Sequence, residues 1–521
     1  MNKEDIIARS IGENSITNVE IISENPLKQG SYVCMEQDRN IILGMINKVY
    51  SGNLLFDEKI QLPEDIEQIR TNIHSFNEYH RAEVKILGDI NSLEISKVAL
   101  SSNTPVRLAT TDELNKIFNI ENGLELGTIT SNKDVKIKVD ADQLISKHLA
   151  ILSLTGGGKS NTTAVIIDEL LKIHGCIVLF DMHSEYVNIE FRNGCVNRIK
   201  PEINLYDLKD YEIAKLAGIS SQASTQERVL YTAIKNVREN LKKSIKDIPD
   251  EYPDVNRSGQ KKIEEAKIKE YKLQFLDNIK YELNQLIDEN NKKETESINA
   301  TIAKLEHNLT RKHKTILNED QDDEIVKQIK PNCVNIIEFG QIDELNAKIV
   351  IDKLLKDILL WRKNAELNNE FTDCYINYPV FCMIEEAHTL ASNDEENNGP
   401  KYRIQRIAKE GRKFGVGLGL ISQRPKNLDS DILSQINNWI VLKIVEPGDQ
   451  RYIQECSDNM SNDLIQELPS LNTGEAILTG PMVKMPSICK INLFKGKKIG
   501  QNLKITSKWD DYYKKNIKIE I

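Results

Sequence analysis

Residues 152–164 read LSLTGGGKSNTTA, and whether this stretch is a phosphate-binding loop decides the fold. Such loops follow the pattern G-x-x-x-x-G-K-[ST]. Gly158, Lys159 and Ser160 supply its second half, while Ser153 stands at the position of the first glycine. The loop must turn consecutive backbone N–H groups inward on a phosphate chain, which is easiest where no Cβ intrudes and positive φ is free. Gly156, Gly157 and Gly158 meet that demand. Lys159 is then placed to reach the β- and γ-phosphates and Ser160 to ligate magnesium. Upstream, HLAILSL is a short apolar run of strand type, and downstream NTTAVIIDELL reads as a helix whose positive end faces the phosphates. A serine is small where the chain leaves the strand, and it costs less there than a change at Lys159 would. A glycine-rich turn with a fortuitous GKS is the weaker reading. Thr155, Gly156, Gly157, Gly158, Lys159, Ser160 and Asn161 are therefore the candidate nucleotide-binding residues, with ATP and Mg2+ as the expected cofactors.

The chain around this loop has 521 residues, long enough for two to four units around a large core. Hydrophobic residues at 40% with 28% charged residues are ordinary for a globular protein. The eight cysteines are scattered with no C-x-x-C pair, so buried reduced thiols are expected rather than disulfides or zinc, which points to the cytosol. MNKEDIIARS lacks an apolar signal core and no stretch has the length of a membrane span, so no membrane association is expected. A net charge of −10 excludes a surface that is basic all over, and any nucleic-acid contact must be local.

The texture changes along the chain. Residues 1–135 carry short β-type runs (NVEII, SYVCME, NIILGMINKVY, AEVKILGDI, KIKV) broken by Gly, Pro, Asn and Asp, a pattern suited to a small barrel. Residues 136–204 and 331–490 alternate strands with helices, as a parallel α/β sheet requires. Between them, residues 205–330 are rich in Lys, Glu and Asn. Ile268, Tyr271, Phe275, Ile279, Leu283 and Leu286, spaced by three or four, mark amphipathic helices there. A lysine-rich tail, 491–521, closes the chain. Its charge reads as a solvated face or arm.

Three further constellations belong to the α/β part. YPVFCMIEEAH is a buried-strand run ending in Glu385 and Glu386, the arrangement in which one carboxylate holds the magnesium water shell and the next polarises the attacking water. The usual ending is Asp-Glu, and the extra methylene of Glu385 bears on magnesium geometry. Two acids at a strand end also occur as a helix-capping cluster. GCIVLFDMHSEY ends in Asp181 with Glu185 four residues on. Strand ends converge on the ligand in such sheets, so the pair either faces the γ-phosphate and metal or, for Asp181, caps the turn. In RIQRIAKEGRKFGVGLGLISQRP, a basic helix (Arg403, Arg406, Lys409, Arg412, Lys413) precedes a glycine-relieved strand ending in Ser422, Gln423 and Arg424. A polar strand end can sense the γ-phosphate, and a projecting arginine can complete a neighbour's site. A solvated cationic helix face is the other reading.

Taken together, KHLAILSLTGGGKSNT, the D-x-H-x-E-Y run, the EEAH strand end, IAKEGRKFGVGLGLISQRP and LSQINNWIVLKI resemble the HerA branch of the HerA/FtsK ATPases. LKQGSYVCME and NIILGMINKVY resemble that family's HAS barrel, and GEAILTG its last core strand. The resemblance covers nearly the whole chain except the helical insertion. It implies an α/β fold: a RecA-like P-loop NTPase core with an N-terminal HAS-like β-barrel and an inserted helical bundle. It further implies a homo-hexameric ring that uses ATP to translocate on or unwind double-stranded DNA. A partner would join it, either a NurA-type nuclease or, in bacterial antiphage systems, an effector such as a Sir2-like NADase or another nuclease. Carried over by position, Glu386 would be the catalytic glutamate and Glu385 the magnesium-side acid. Gln423 would be the sensor, Arg412 an arginine acting across the subunit interface, and Lys147 a basic residue in that interface. The alternative is a ring-shaped, ATP-regulated scaffold that assembles an effector with little translocation. The departures at Ser153 and Glu385 and the acidic net charge favour it, while the intact Lys159, Ser160 and Glu386 favour the motor.

Overall fold

The computed structural model describes residues 5–37, 40–53, 78–220, 222–246, 266–288, 291–318, 324–368, 374–393 and 399–496, with 506, 507 and 509. Of the lysine-rich tail, residues 491–496, 506, 507 and 509 are described and the rest lies outside the described residues.

The first six strands are β1 (Ile6–Ile11), β2 (Asn18–Ser23), β3 (Tyr32–Gln37), β4 (Asn40–Asn53), β5 (Glu78–Asp89) and β6 (Pro105–Leu108). They close into an antiparallel barrel in the order β1-β2-β5-β4-β3-β6. Alternation builds it: Ala82, Val84 and Ile86 of β5 point into a core with Val19, Ile21, Val33 and Met35 while their neighbours meet solvent.

The barrel ends at β6, earlier than the sequence suggests. The helix α1 (Thr111–Phe118) follows, capped by Thr110 and Glu113 in a reciprocal capping box. Next come β7 (Leu124–Ile129) and β8 (Asn132–Val139), which join the large sheet instead. The run KIKV, expected in the barrel, is therefore corrected to an edge strand of the ATPase sheet. Its alternation of Val135, Ile137 and Val139 inward with lysines outward is real. Alternation reports that one face is covered, here by α1, and does not say which sheet the strand joins.

The large sheet has the order β11-β12-β10-β13-β14-β9-β15-β16-β17-β7-β8. Its strands are β9 (Leu149–Leu152), β10 (Ile177–Asp181), β11 (Cys195–Ile199), β12 (Cys333–Glu338), β13 (Val380–Ile384), β14 (Val416–Ser422), β15 (Asn438–Leu442), β16 (Glu475–Thr479) and β17 (Ser487–Ile491), with β7 and β8. From β11 to β15 all neighbours are parallel; beyond β15 they are antiparallel. Strands β9, β10, β13, β14 and β15 are buried along their whole length because helices cover both faces, which is why they read as unbroken apolar runs. Glycines 417 and 419 of β14 make room: a Cβ at Gly417 would press on Ile145 and Phe381. The loop strand β9 and the acidic strand β13 are not neighbours, because β14 lies between them. The C-terminal ends of all three lie side by side, where ligands of such sheets sit.

The helical insertion leaves after β11 and returns at β12. Ile203 and Leu317 form a parallel bridge where its two ends run together. Within it, α4 (Asp210–Leu216), α5 (Ser224–Lys246), α6 (Phe275–Gln285) and α7 (Lys292–His307) bury Val229, Leu230, Ala233, Phe275, Ile279, Leu283, Ile298 and Leu305 in one core continuous with the sheet's. Cys195 and Cys333 are register partners on β11 and β12 and are joined as a disulfide. This corrects the expectation of reduced thiols for these two. Their spacing of 138 residues hid it, because only the pairing of the flanking strands brings them together. The other six cysteines are free. No helix among the described residues is long and apolar enough to cross a membrane.

His148 locks the entry to β9. It takes φ 61°, its buried Nδ1 accepts the N–H of Leu418 at 3.1 Å, and Nε2 lies 3.1 Å from the Ala408 carbonyl, so the neutral Nε2–H form donates there. Burial, with Arg412 and Lys147 adding to it against the Ala408 bond, lowers its pKa to about 4. Because the folded pKa is depressed, this stabilisation is complete above the unfolded value near 6.5 and is lost as pH falls toward 4. Its full size is about 3 kcal/mol. Denaturant unfolding at pH 7 and pH 4.5 checks this: wild type should lose stability across that interval, and His148→Gln should lose less. Equal losses would remove His148 as the cause.

Candidate functional site

The loop leaves β9 at Ser153, whose N–H donates to the Ser422 carbonyl at 3.2 Å and whose buried hydroxyl donates to the Leu154 carbonyl at 2.8 Å. A Cβ on Gly157 would collide with that hydroxyl. Ser153 therefore fills space beneath the loop, and Gly157 is what makes room for it. Gly156 (φ 78°) and Gly158 (φ 113°) take the left-handed backbone that a side chain resists. The helix α3 (Lys159–Lys172) then starts with no side-chain cap, leaving its first N–H groups available to an anion. From this geometry Gly157→Ala should weaken nucleotide binding by more than about tenfold, or about 1.4 kcal/mol. Ser153→Gly alone should change it less than that, and the double variant should recover most of the loss. Titration with ATP decides it; a Gly157→Ala protein that binds normally would refute the packing argument.

Above the loop four side chains link the three strand ends. Lys159, buried, pairs with Glu386 Oε1. Gln423, just past β14, donates from Nε2 to the same oxygen at 2.5 Å, and Thr155 donates its hydroxyl to Gln423 Oε1. Glu386 itself adopts φ 45°, ψ 43°, a left-handed conformation that costs a non-glycine residue on the order of 1–3 kcal/mol. Its other oxygen lies 3.3 Å from His388 Nδ1, which is also 3.2 Å from the Ser422 hydroxyl. Burial pushes the Glu386 carboxyl up, but the hydrogen bond and charge of Lys159 and the bond from Gln423 outweigh it, so Glu386 sits below the usual carboxylate range and is ionised.

Glu385 is the opposite case. Fully buried, it accepts the Tyr186 hydroxyl on Oε1 at 2.9 Å, while Oε2 has no partner among the described residues. Burial, then the charges of Glu185 and Asp181, push its pKa up to about 8 against the pull of Lys159. Ser160 donates its hydroxyl to Glu185 Oε2. Hydroxyl and carboxylate oxygens form a hard donor set, and Glu385 is a buried acid lacking a counter-charge, so the residues fit a divalent cation of the magnesium type. No cluster of three or more His, Cys, Asp or Glu donors stands ready among the described residues. Such an ion would be held largely by phosphate oxygens and Ser160.

Asp181 resolves to the turn-capping reading. Its Oδ1 and Oδ2 accept the N–H groups of Glu185 and Tyr186 at 3.0 and 2.9 Å, and the side chain is fully buried. It presents Glu185 and Tyr186 rather than facing a ligand, so its candidacy as a catalytic residue is corrected. The Asn161 side chain is engaged elsewhere: its amide donates to the Asn492 carbonyl at 2.8 Å and its Oδ1 accepts the Phe494 N–H at 3.0 Å, so what it can offer a phosphate is its backbone N–H in the first turn of α3. Arg412 is exposed at the far end of β14 from Gln423. Seven residues of strand separate the two ends by roughly 20 Å, so Arg412 is not part of its own subunit's cradle. Lys147, at the end of the helix α2 (Ala141–Ser146), shares that far side, since it and Arg412 both bear on His148. The sequence left Tyr186 and His388 without roles, although both fall within motif runs. Which acid each one meets follows only from strand order.

Comparison with known proteins adds two family matches: residues 124–358 match the helicase HerA central domain and residues 7–92 the HAS barrel domain. The chain is 35% identical over 509 residues to the DNA double-strand break repair helicase HerA of Sulfurisphaera tokodaii, covering 97% of this chain and 96% of the relative. It is 35% identical over 522 residues to a probable helicase of Methanocaldococcus jannaschii, covering 98% and 95%. The HerA helicase of Pyrococcus furiosus shares 32% over 559 residues, 97% of each chain.

Proposed function

The chain belongs to the HerA helicase family, an ATPase family, and from that premise we propose that it is an ATP-hydrolysing motor on double-stranded DNA, assembled as a homo-hexamer. The observation that carries the reading is the linked set Thr155–Gln423–Glu386–Lys159, which spans three strand ends above an uncapped helix N-terminus. In it Lys159 and the loop N–H groups hold the β- and γ-phosphates. Ionised Glu386 orients and deprotonates the attacking water, and Gln423, bonded to both Thr155 and Glu386, reports whether the γ-phosphate is present. Magnesium, when bound, neutralises phosphate charge; Ser160 would hold it directly and Glu385 through its water shell, with Tyr186 fixing the Glu385 carboxyl. Arg412 serves the neighbouring subunit's nucleotide.

The double-strand break repair names of the relatives support duplex DNA as the track, and the partner we propose beside it is a nuclease. A Sir2-like NADase or another effector in antiphage defence is the alternative partner. The test is ATP turnover with and without blunt duplex DNA over a range of salt. A motor should be stimulated severalfold by the duplex, with the stimulation fading as salt rises because phosphate contacts release counterions. Turnover that ignores DNA at every salt concentration would overturn translocation and leave the ATP-regulated scaffold.

A further inference from the structure

Leu493 is 80% exposed, more than any other large apolar side chain among the described residues. It is nevertheless fixed in place. The Gly474 N–H donates to the Gly157 carbonyl at 3.0 Å, and the Ile491 N–H donates to the Gly474 carbonyl at 2.9 Å, so the turn before β16 rests on the phosphate loop and the end of β17 is bonded to that turn. Asn161, in the first turn of α3, then grips the Asn492 carbonyl and the Phe494 N–H, one on each side of Leu493. Phe494 is anchored by edge-on packing against Phe191 with ring centroids 5.4 Å apart. A side chain that could have turned away from water on a loose loop is here held out in it by bonds to the nucleotide helix.

We propose that Leu493 is a nucleobase-contact residue, covering an apolar face of the base whose phosphates lie on Gly156–Ser160. The inference rests on the phosphate-loop reading above. A phosphate chain on the loop leaves its nucleoside beside the first turn of α3, which is where Asn161 tethers the strap. A base is a flat apolar disc with polar edges, and a leucine against its face buries surface on both partners at little entropic cost, because the backbone is already fixed. A face contact reads no hydrogen-bonding edge, so it supplies affinity for a nucleobase without choosing among purines.

The test uses the full chain and two probes, ATP and inorganic tripolyphosphate, by calorimetric titration of wild type, Leu493→Ala and Leu493→Met. Leu493→Ala should weaken ATP about tenfold, equal to about 1.4 kcal/mol, leave tripolyphosphate within twofold, and leave the oligomer mass unchanged; Leu493→Met should restore ATP. Unchanged ATP affinity in Leu493→Ala overturns the proposal. Equal weakening of both probes, or loss of the oligomer in the absence of nucleotide, overturns it in favour of a role in the loop or in a subunit contact. If wild type binds neither probe, the phosphate-loop reading falls and this proposal with it.

Discussion

Glu386→Gln should abolish ATP turnover while leaving nucleotide bound, and bound more tightly than in wild type. Glu386 is held ionised by Lys159 and Gln423, so it is ready to take a proton from water at neutral pH. Glutamine keeps the shape and the bonding capacity toward Gln423 but has no basic oxygen to take the proton. Loss of a positioned general base typically costs about 10²–10⁴ in rate. The binding side follows from the same geometry: Lys159 is paired with Glu386, and the phosphates must compete for that amine. Neutralising the carboxylate releases it. Single-turnover hydrolysis and ATP titration check both halves. Normal turnover would remove Glu386 as the base, and weakened binding would show that its contact with Lys159 is needed to hold the lysine in place.

Arg412→Ala should lose hydrolysis by roughly 10³–10⁵-fold, the range for an arginine supplied from a neighbouring subunit, again with binding retained. The residue is exposed, has no ion-pair partner among the described residues, and stands at the end of β14 opposite to Gln423. Placed there, it cannot neutralise charge on its own nucleotide. Mixing Arg412→Ala with Glu386→Gln protein should recover part of the activity, because a mixed ring contains interfaces that join an intact glutamate to an intact arginine. Mixed rings confirmed to form yet dead at every ratio, or a monomer that hydrolyses ATP at the full rate, would exclude the role.

Local chemistry was legible in the residues themselves. Three glycines before Lys159 and Ser160 specify an anion cradle because backbone freedom and charge are properties of those residues alone. Unbroken apolar runs specified strands covered on both faces, and three- and four-residue spacing specified the helices of the insertion. The alternation of KIKV gave a strand but not its sheet, since inward–outward alternation is the same in a barrel and at a sheet edge. Tertiary structure decided everything that depends on strand order. Placing β14 between β9 and β13 brings Gln423 between Thr155 and Glu386, and sets Glu386 against Lys159 across 227 residues of chain. The same closure turned Asp181 to its own backbone, committed Asn161 to the Asn492–Phe494 strap and left Leu493 in the open beside the nucleotide helix. A hydrogen bond is satisfied by whichever partner lies within about 3 Å, and which one does is fixed by the packing of segments that the sequence lists far apart.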